Sequence, residues 1–528
     1  MTQQSCTRIT YSEGVKRSLS PVVVVFIAFG FVATACSSSS NIEVVGQGTA
    51  VASTDTTDSP STVVSNGAYS TAEFATPTIS WDSCGTGLEC GYIEVPINYD
   101  DVNSDTTALY IVKHAATDAG ARIGSLLVNP GGPGFGGSYL AEAADKIFSQ
   151  SILSSFDIIG WDPRGTGTSI PAIDCTEDYD RFFASGDITP DTDQERADIV
   201  ASSEEFTQAC FDNNGDLLPY IGTNNVARDM DMIRRALGED KISYFGFSYG
   251  SELGATWTTM FPDTVRAAVL DGASDPNADD LVGTLQQNKG FEESIATFLA
   301  NCSADSSCTF HNDGNAEGAF DDLMEQLDEN PISTSSGRPD LTRGMALTAV
   351  AQAMYSDSYW SYLEDALASA QAGDGTDLLS LYDEYFQRQA DGTYGNELEA
   401  FVNILCADNP DRMTVEEADA LVPQYQANAP RFSPGTTGDY TCVFWPKALD
   451  PRIKITGKGA GPIVVIGTTG DAATPLASTR NMVKALEEGR LIVVTAEQHT
   501  GYNVNSCVNE AVDNYLIDLQ APDGELDC

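Results

Sequence analysis

From about residue 77 onward the chain alternates short apolar runs with stretches of helical period. Eight runs predict buried strands, at Tyr92–Ile97, Ala108–Val112, Ser125–Val128, Asp157–Trp161, Ile242–Phe245, Ala267–Leu270, Ile463–Ile466 and Leu491–Val494. Between the fourth and fifth lies TNNVARDMDMIRRALG, whose Val226, Met230, Ile233 and Leu237 recur at helical spacing. Residues Val504–Ile517 predict a closing helix. Strands alternating with helices predict an α/β fold with a mostly parallel sheet and helices on both faces. The rhythm breaks between Pro276 and Asp450, where helical stretches such as GFEESIATFLANC and SYWSYLEDALASAQAG follow one another without a convincing strand. A mainly helical insertion between strands of one sheet accounts for this. The predicted organisation is therefore a core of residues 77–275 and 451–528, with residues 276–450 as a cap.

The N-terminus has a different pattern. Lys16 and Arg17 precede an uncharged apolar run of 14 residues, VVVVFIAFGFVATA from Val22 to Ala35, short of the roughly 20 that a membrane span needs. Residues 1–35 thus read as a signal peptide. The run ends in Ala33-Thr34-Ala35-Cys36, which looks like a bacterial lipobox with Cys36 lipidated as the mature N-terminus. A plain secretory signal cleaved nearby is the alternative. Residues 36–76, rich in Ser, Thr, Gly and Pro, read as a flexible tether.

Composition narrows the function. With 77 Asp plus Glu against 27 Lys plus Arg the formal charge is −50, which excludes nucleic-acid binding as a main activity because that needs clustered cations. It equally disfavours docking on anionic lipid through basic residues, leaving a lipid anchor as the one expected membrane contact. Ten cysteines remain beyond Cys6 and Cys36. Nearest-neighbour pairing gives Cys84/Cys90, Cys175/Cys210, Cys302/Cys308, Cys406/Cys442 and Cys507/Cys528, as suits an exported protein. A metal site is the weaker reading, since no CxxC occurs and the chain has only 3 His; no cofactor is implied.

The chemistry centres on Gly246-Phe247-Ser248-Tyr249-Gly250, a G-x-S-x-G placed between a predicted strand and the helix-forming SELGATWTTM. This is the context of a nucleophile elbow, in which a strained turn presents the Ser at a helix N-terminus. A Ser nucleophile needs a base and an orienting acid. His114 ends an early strand and His311 lies in the insertion. Only His499, in AEQHTGY, completes the chain order Ser, acid, His. The acid should follow the strand Ile463–Ile466, which selects Asp471; Asp271 and Asp275, after Ala267–Leu270, are alternates. The oxyanion hole should combine the Tyr249 N–H with one from Asn129-Pro130-Gly131-Gly132-Pro133-Gly134, Gly132 first and Gly131 next. That loop also satisfies G-x-G-x-x-G, but Asp157 starts the following strand where a ribose-binding acid would end it, and Pro133 removes an N–H. No Lys follows, so it is not a P-loop.

Taken together, NPGGPG at Asn129–Gly134, DPRGTGTS at Asp162–Ser169, GFSYGS at Gly246–Ser251, LDGASDP at Leu270–Pro276, CVFWP at Cys442–Pro446 and GDAATP at Gly470–Pro475 resemble the secreted tripeptidyl aminopeptidases of the α/β-hydrolase fold, relatives of prolyl aminopeptidases. The resemblance runs from about Trp81 to Cys507. Two departures are Gly136, where a Ser is common, and Gln498, where a Gly commonly precedes the His. The resemblance implies a serine exopeptidase acting on peptides with free N-termini, with cap carboxylates reading the substrate's ammonium. Arg164 in DPRGTG is expected to tie its loop and not to act in catalysis. The alternatives are a carboxylesterase or lipase with the same triad, or a non-catalytic surface lipoprotein.

Overall fold

The computed structural model describes residues 69–528, apart from 177, 185–188, 191, 336 and 434–439. The expected signal peptide, Cys36 and most of the expected tether lie outside the described residues. One sheet contains β1 (Asp82–Gly85), β2 (Leu88–Pro96), β3 (Thr106–His114), β4 (Gly124–Asn129), β5 (Phe156–Trp161), β6 (Ile242–Phe247), β7 (Val265–Asp271), β8 (Ile463–Thr468), β9 (Gly489–Val494) and β10 (Leu526–Asp527). Their order is β1-β2-β3-β5-β4-β6-β7-β8-β9-β10. Pairing is antiparallel from β1 through β3 to β5 and parallel from β5 to β10.

The helices fill the connections. Helices α1 (Ser138–Glu142), α2 (Ala144–Ile147) and α3 (Gln150–Ser155) follow β4, while α4 (Asp193–Asn214) and α5 (Thr223–Ala236) follow β5. Helix α6 (Tyr249–Met260) follows β6. Between β7 and β8 run α7 (Asp280–Ala304), α8 (Ala316–Glu329), α9 (Arg343–Ala353), α10 (Trp360–Gln371), α11 (Thr376–Tyr385), α12 (Glu397–Asp408) and α13 (Val415–Asn428). Helix α14 (Leu476–Ala485) joins β8 to β9, and α15 (Ser506–Asp518) follows β9.

The central strands are apolar at almost every position because both faces are covered. Side chains alternate across a strand. Val128, Phe245, Val269 and Ile466 accordingly pack with Leu140, Ile152, Val512 and Leu516 of α1, α3 and α15. Their sequence neighbours Leu127, Tyr244, Leu270 and Val465 pack on the opposite face with Met230, Ile233, Trp257 and Met482 of α5, α6 and α14. This is the α/β-hydrolase arrangement, with the elbow strand β6 in the middle of the sheet.

The cap is assembled from two stretches of chain. Residues 276–450 are mainly helical, as expected, and contribute Phe291, Phe298, Leu347 and Leu367 to a buried cluster continuous with one face of the sheet. Part of the segment between β5 and α5, assigned to the core on sequence, also packs with the cap: Ile173, Cys175, Phe206 and Cys210 bury against Ala400, Ile404, Cys442 and Trp445. Helix α4 was invisible to periodicity because its few apolar residues form no stripe; only Phe206, Thr207 and Cys210 are buried along 22 residues. Its start was marked, however, by the Thr192–Glu195 capping box. The packed body also begins before residue 77. Phe74 is buried edge-on to Tyr99, and Arg235 donates to the carbonyls of Thr71 and Phe74 at 2.5 and 2.7 Å. All five expected cysteine pairs are disulfides.

Candidate active site

Ser248 sits between β6 and α6 with φ 53° and ψ −127°, backbone that a side-chain-bearing residue adopts only under constraint. The constraint is local. Its N–H donates to the carbonyl of Asp271 at 2.7 Å, and its own carbonyl accepts from Ser251 at 2.7 Å. A Cβ on Gly246 would lie 2.2 Å from the carbonyl oxygen of Gly250, so the turn closes only without a side chain there. These contacts explain why the pattern G-x-S-x-G folds as an elbow. Ser248 is 2% exposed.

His499 is carried by the loop after β9. Its Nδ1 lies 2.9 and 2.8 Å from Oδ1 and Oδ2 of Asp471, which sits in the loop after β8. Asp471 is oriented in turn: Oδ1 accepts from the N–H groups of Ala473 and Thr474 at 2.9 and 2.7 Å, and Oδ2 from the Thr474 hydroxyl at 2.9 Å. The Thr474 hydroxyl is also 3.2 Å from His499 Nδ1. The cap braces the imidazole from its other side. The main-chain N–H of His499 donates to the Tyr355 carbonyl at 2.8 Å, and the Tyr355 ring meets the imidazole edge-on at 5.5 Å. Neither Thr474 nor Tyr355 was singled out from sequence. Thr474 stood in the GDAATP motif, whereas Tyr355 carried no local signal.

The loop expected to supply an oxyanion donor, Asn129–Gly134, packs against the elbow. Gly131 has φ 101°, and a Cβ there would come 2.5 Å from the Phe247 carbonyl and 3.0 Å from Ser248 Cβ. Its N–H, however, donates to Asn129 Oδ1 at 2.9 Å, so Gly131 does not suit the role of second-choice donor. Gly132 remains the candidate beside Tyr249, whose N–H belongs to the first turn of α6, where a helix leaves its donors without intrahelical acceptors.

The other residues considered fall elsewhere. Asp271 is fully buried, but its carboxylate accepts from the backbone of Gly501 and Tyr502 and not from the imidazole. Asp275 accepts from the side chains of Gln286 and Asn481 at 3.1 and 2.7 Å. His114 ends β3 with Nε2 3.4 Å from Asp145, and His311 lies after the Cys302–Cys308 disulfide in the cap. Arg164 is wholly buried and structural: it pairs with Asp229 through two bonds of 2.8 and 2.6 Å and donates to the carbonyls of Pro96, Ile97 and Tyr220.

Comparison with known proteins supplies the family. The TAP-like protein family matches residues 429–528, the stretch that carries Asp471 and His499. The serine protease Hip1 of Mycobacterium tuberculosis is 36% identical over 461 residues, covering 84% of this chain and 87% of that protein. Carboxylesterase B of the same species is 36% identical over 482 residues, covering 87% of this chain and 91% of that protein. A tripeptidyl aminopeptidase of Streptomyces coelicolor is 29% identical over 480 residues, covering 85% and 86%. At this identity, sustained over most of the chain, the protein belongs to the TAP-like family of α/β-hydrolase-fold serine hydrolases.

Proposed function

We propose that the protein is an exported exopeptidase that releases short peptides or single residues from free N-termini, with Ser248 as nucleophile, His499 as base and Asp471 as orienting acid. The observation that carries the reading is the imidazole of His499 held by both oxygens of Asp471 at 2.9 and 2.8 Å, in a chain whose Ser248 occupies a strained elbow. In this reading Ser248 Oγ attacks the scissile carbonyl while its proton passes to Nε2 of His499. The Gly132 and Tyr249 N–H groups receive the developing oxyanion. His499 then protonates the leaving amine, and water, deprotonated by the same imidazole, hydrolyses the acyl-enzyme. Cap carboxylates would read the substrate's ammonium group. Among them, Glu399 already accepts from the backbone of Cys175 and Thr176 at 2.9 and 2.7 Å through its Oε1. Lipidation of Cys36 would hold the enzyme on the outer face of the cell membrane, and five disulfides fit that oxidising location.

The relative named a carboxylesterase favours a second reading, ester hydrolysis by the same groups. Side-by-side assay of tripeptidyl amides with a free N-terminus, their N-acetylated forms and short-chain acyl esters separates the two. Turnover of the free-amine peptides with loss on acetylation supports the proposal; turnover confined to esters overturns it.

A further inference from the structure

Asp271 ends β7 and is wholly buried, yet it is not the acid that touches His499. Its two oxygens accept from the N–H groups of Gly501 and Tyr502 at 2.7 and 2.8 Å, the second and third residues after His499. Its main-chain carbonyl accepts from the N–H of Ser248 at 2.7 Å. The next residue, Gly272, has φ 70° and donates to the Ile466 carbonyl at 3.0 Å; a Cβ on it would come within 2.9 Å of His499 Cε1. The loop that bears His499 is itself under backbone constraint, with Thr500 at φ 67° and Asn503 at φ 71°. Non-glycine residues keep such angles only where surrounding contacts impose them. A carboxylate this deep is costly, and burial pushes Asp271 up to about 7 despite the two amides that favour its charged form.

We infer that Asp271 is a positioning residue that sets the geometry between Ser248 and His499, clamping the histidine loop with its side chain and the nucleophile with its main chain. One strand end thus registers two loops that approach from opposite sides. The inference rests on the proposed roles of Ser248 and His499. A displacement of about 1 Å in a reacting group costs on the order of 100-fold in rate, so loss of the clamp is readable in catalysis.

The test is Asp271→Asn in the full-length protein, with the wild type alongside. The amide keeps one acceptor but turns an NH2 toward the other backbone donor. At pH 8 the variant is expected to fold, to lose about 10- to 100-fold in kcat with little change in KM, and to lose the same factor in the rate of Ser248 labelling by a fluorophosphonate. Backbone amides of residues 499–503 should exchange faster with deuterium while those of β7 do not. Wild-type kcat and labelling with only a lowered melting temperature would overturn the inference and leave Asp271 structural. An unlabelled wild type would overturn the nucleophile assignment itself, a separate failure. Should the variant not fold, the wild type still decides: the amides of Gly501 and Tyr502 must exchange as slowly as those of β7 and β8, and fast exchange there overturns the clamp.

Discussion

Asp471→Asn isolates the contribution of charge and tautomer at the site. Asp471 Oδ1 accepts two backbone donors, Ala473 N–H at 2.9 Å and Thr474 N–H at 2.7 Å, neither of which can reverse its polarity. The carboxamide oxygen must therefore stay at Oδ1, and the NH2 takes the place of Oδ2, 2.8 Å from His499 Nδ1. The Thr474 hydroxyl can rotate to accept, and the NH2 that now faces Nδ1 favours an accepting Nδ1 over one that donates to Oδ1 at 2.9 Å. The ring proton then moves to Nε2, the nitrogen that receives the Ser248 proton in the proposed mechanism. The equivalent change in a serine protease triad costs about 10,000-fold in kcat, or about 5.4 kcal/mol of barrier. Stability should change far less, by about 1–3 kcal/mol, since shape and the two backbone bonds persist. Steady-state turnover of a tripeptidyl anilide, with melting temperature as the fold control, reads both quantities. A kcat within tenfold of wild type would refute the assignment of Asp471. A larger loss in Asp271→Asn than in Asp471→Asn would move the acid role to the other carboxylate.

Three further outcomes follow from the same geometry. Ser248→Ala should abolish both turnover and fluorophosphonate labelling while leaving the melting temperature within a few degrees of wild type; residual hydrolysis near the wild-type rate would place the nucleophile elsewhere. Arg164→Ala strands the buried charge of Asp229 and three carbonyls, so chemical denaturation should show a loss of about 3–5 kcal/mol, and a loss below about 1 kcal/mol would contradict the structural role. Burial pushes Asp271, Glu399 and Asp408 up to about 7. Between an unfolded value of about 4 and that folded value, the native state holds protons the unfolded chain has released. Stability should therefore fall as pH rises from about 4 to about 7; a melting temperature that climbs steadily over that range would overturn this.

Much of the sheet was legible because a strand buried on both faces is mainly apolar, and β4, β6, β7 and β8 each carry a run of apolar residues with polar ones mostly near their ends. Strand β1 was not, since Asp-Ser-Cys-Gly is exposed at the sheet edge and carries no apolar pattern. The two-residue β10 is too short to have a period. Helix α4 was missed for a related reason: most of its surface faces solvent or polar neighbours, so nothing forces a stripe. At the site, the elbow was readable because its glycines are demanded within five consecutive residues. The choice between Gly131 and Gly132 was not, because it turns on the side chain of Asn129.

The sequence by itself only suggested the cysteine pairing, and the structure fixed it. It did determine the alternation of strands and helices, the elbow at Ser248 and the short set of histidines and acids able to serve it. Each of these is written in neighbouring residues or in burial that constrains one element at a time. Tertiary structure decided which carboxylate holds His499, that Tyr355 of the cap braces the imidazole, and that the cap recruits chain from between β5 and α5. It also gave Asp271 its place between the two loops. These outcomes depend on contacts between separate loops and elements, from 28 residues apart for Asp471 with His499 to 230 for Asp271 with Gly501. Local propensity carries no record of such contacts; packing of the assembled core fixes them.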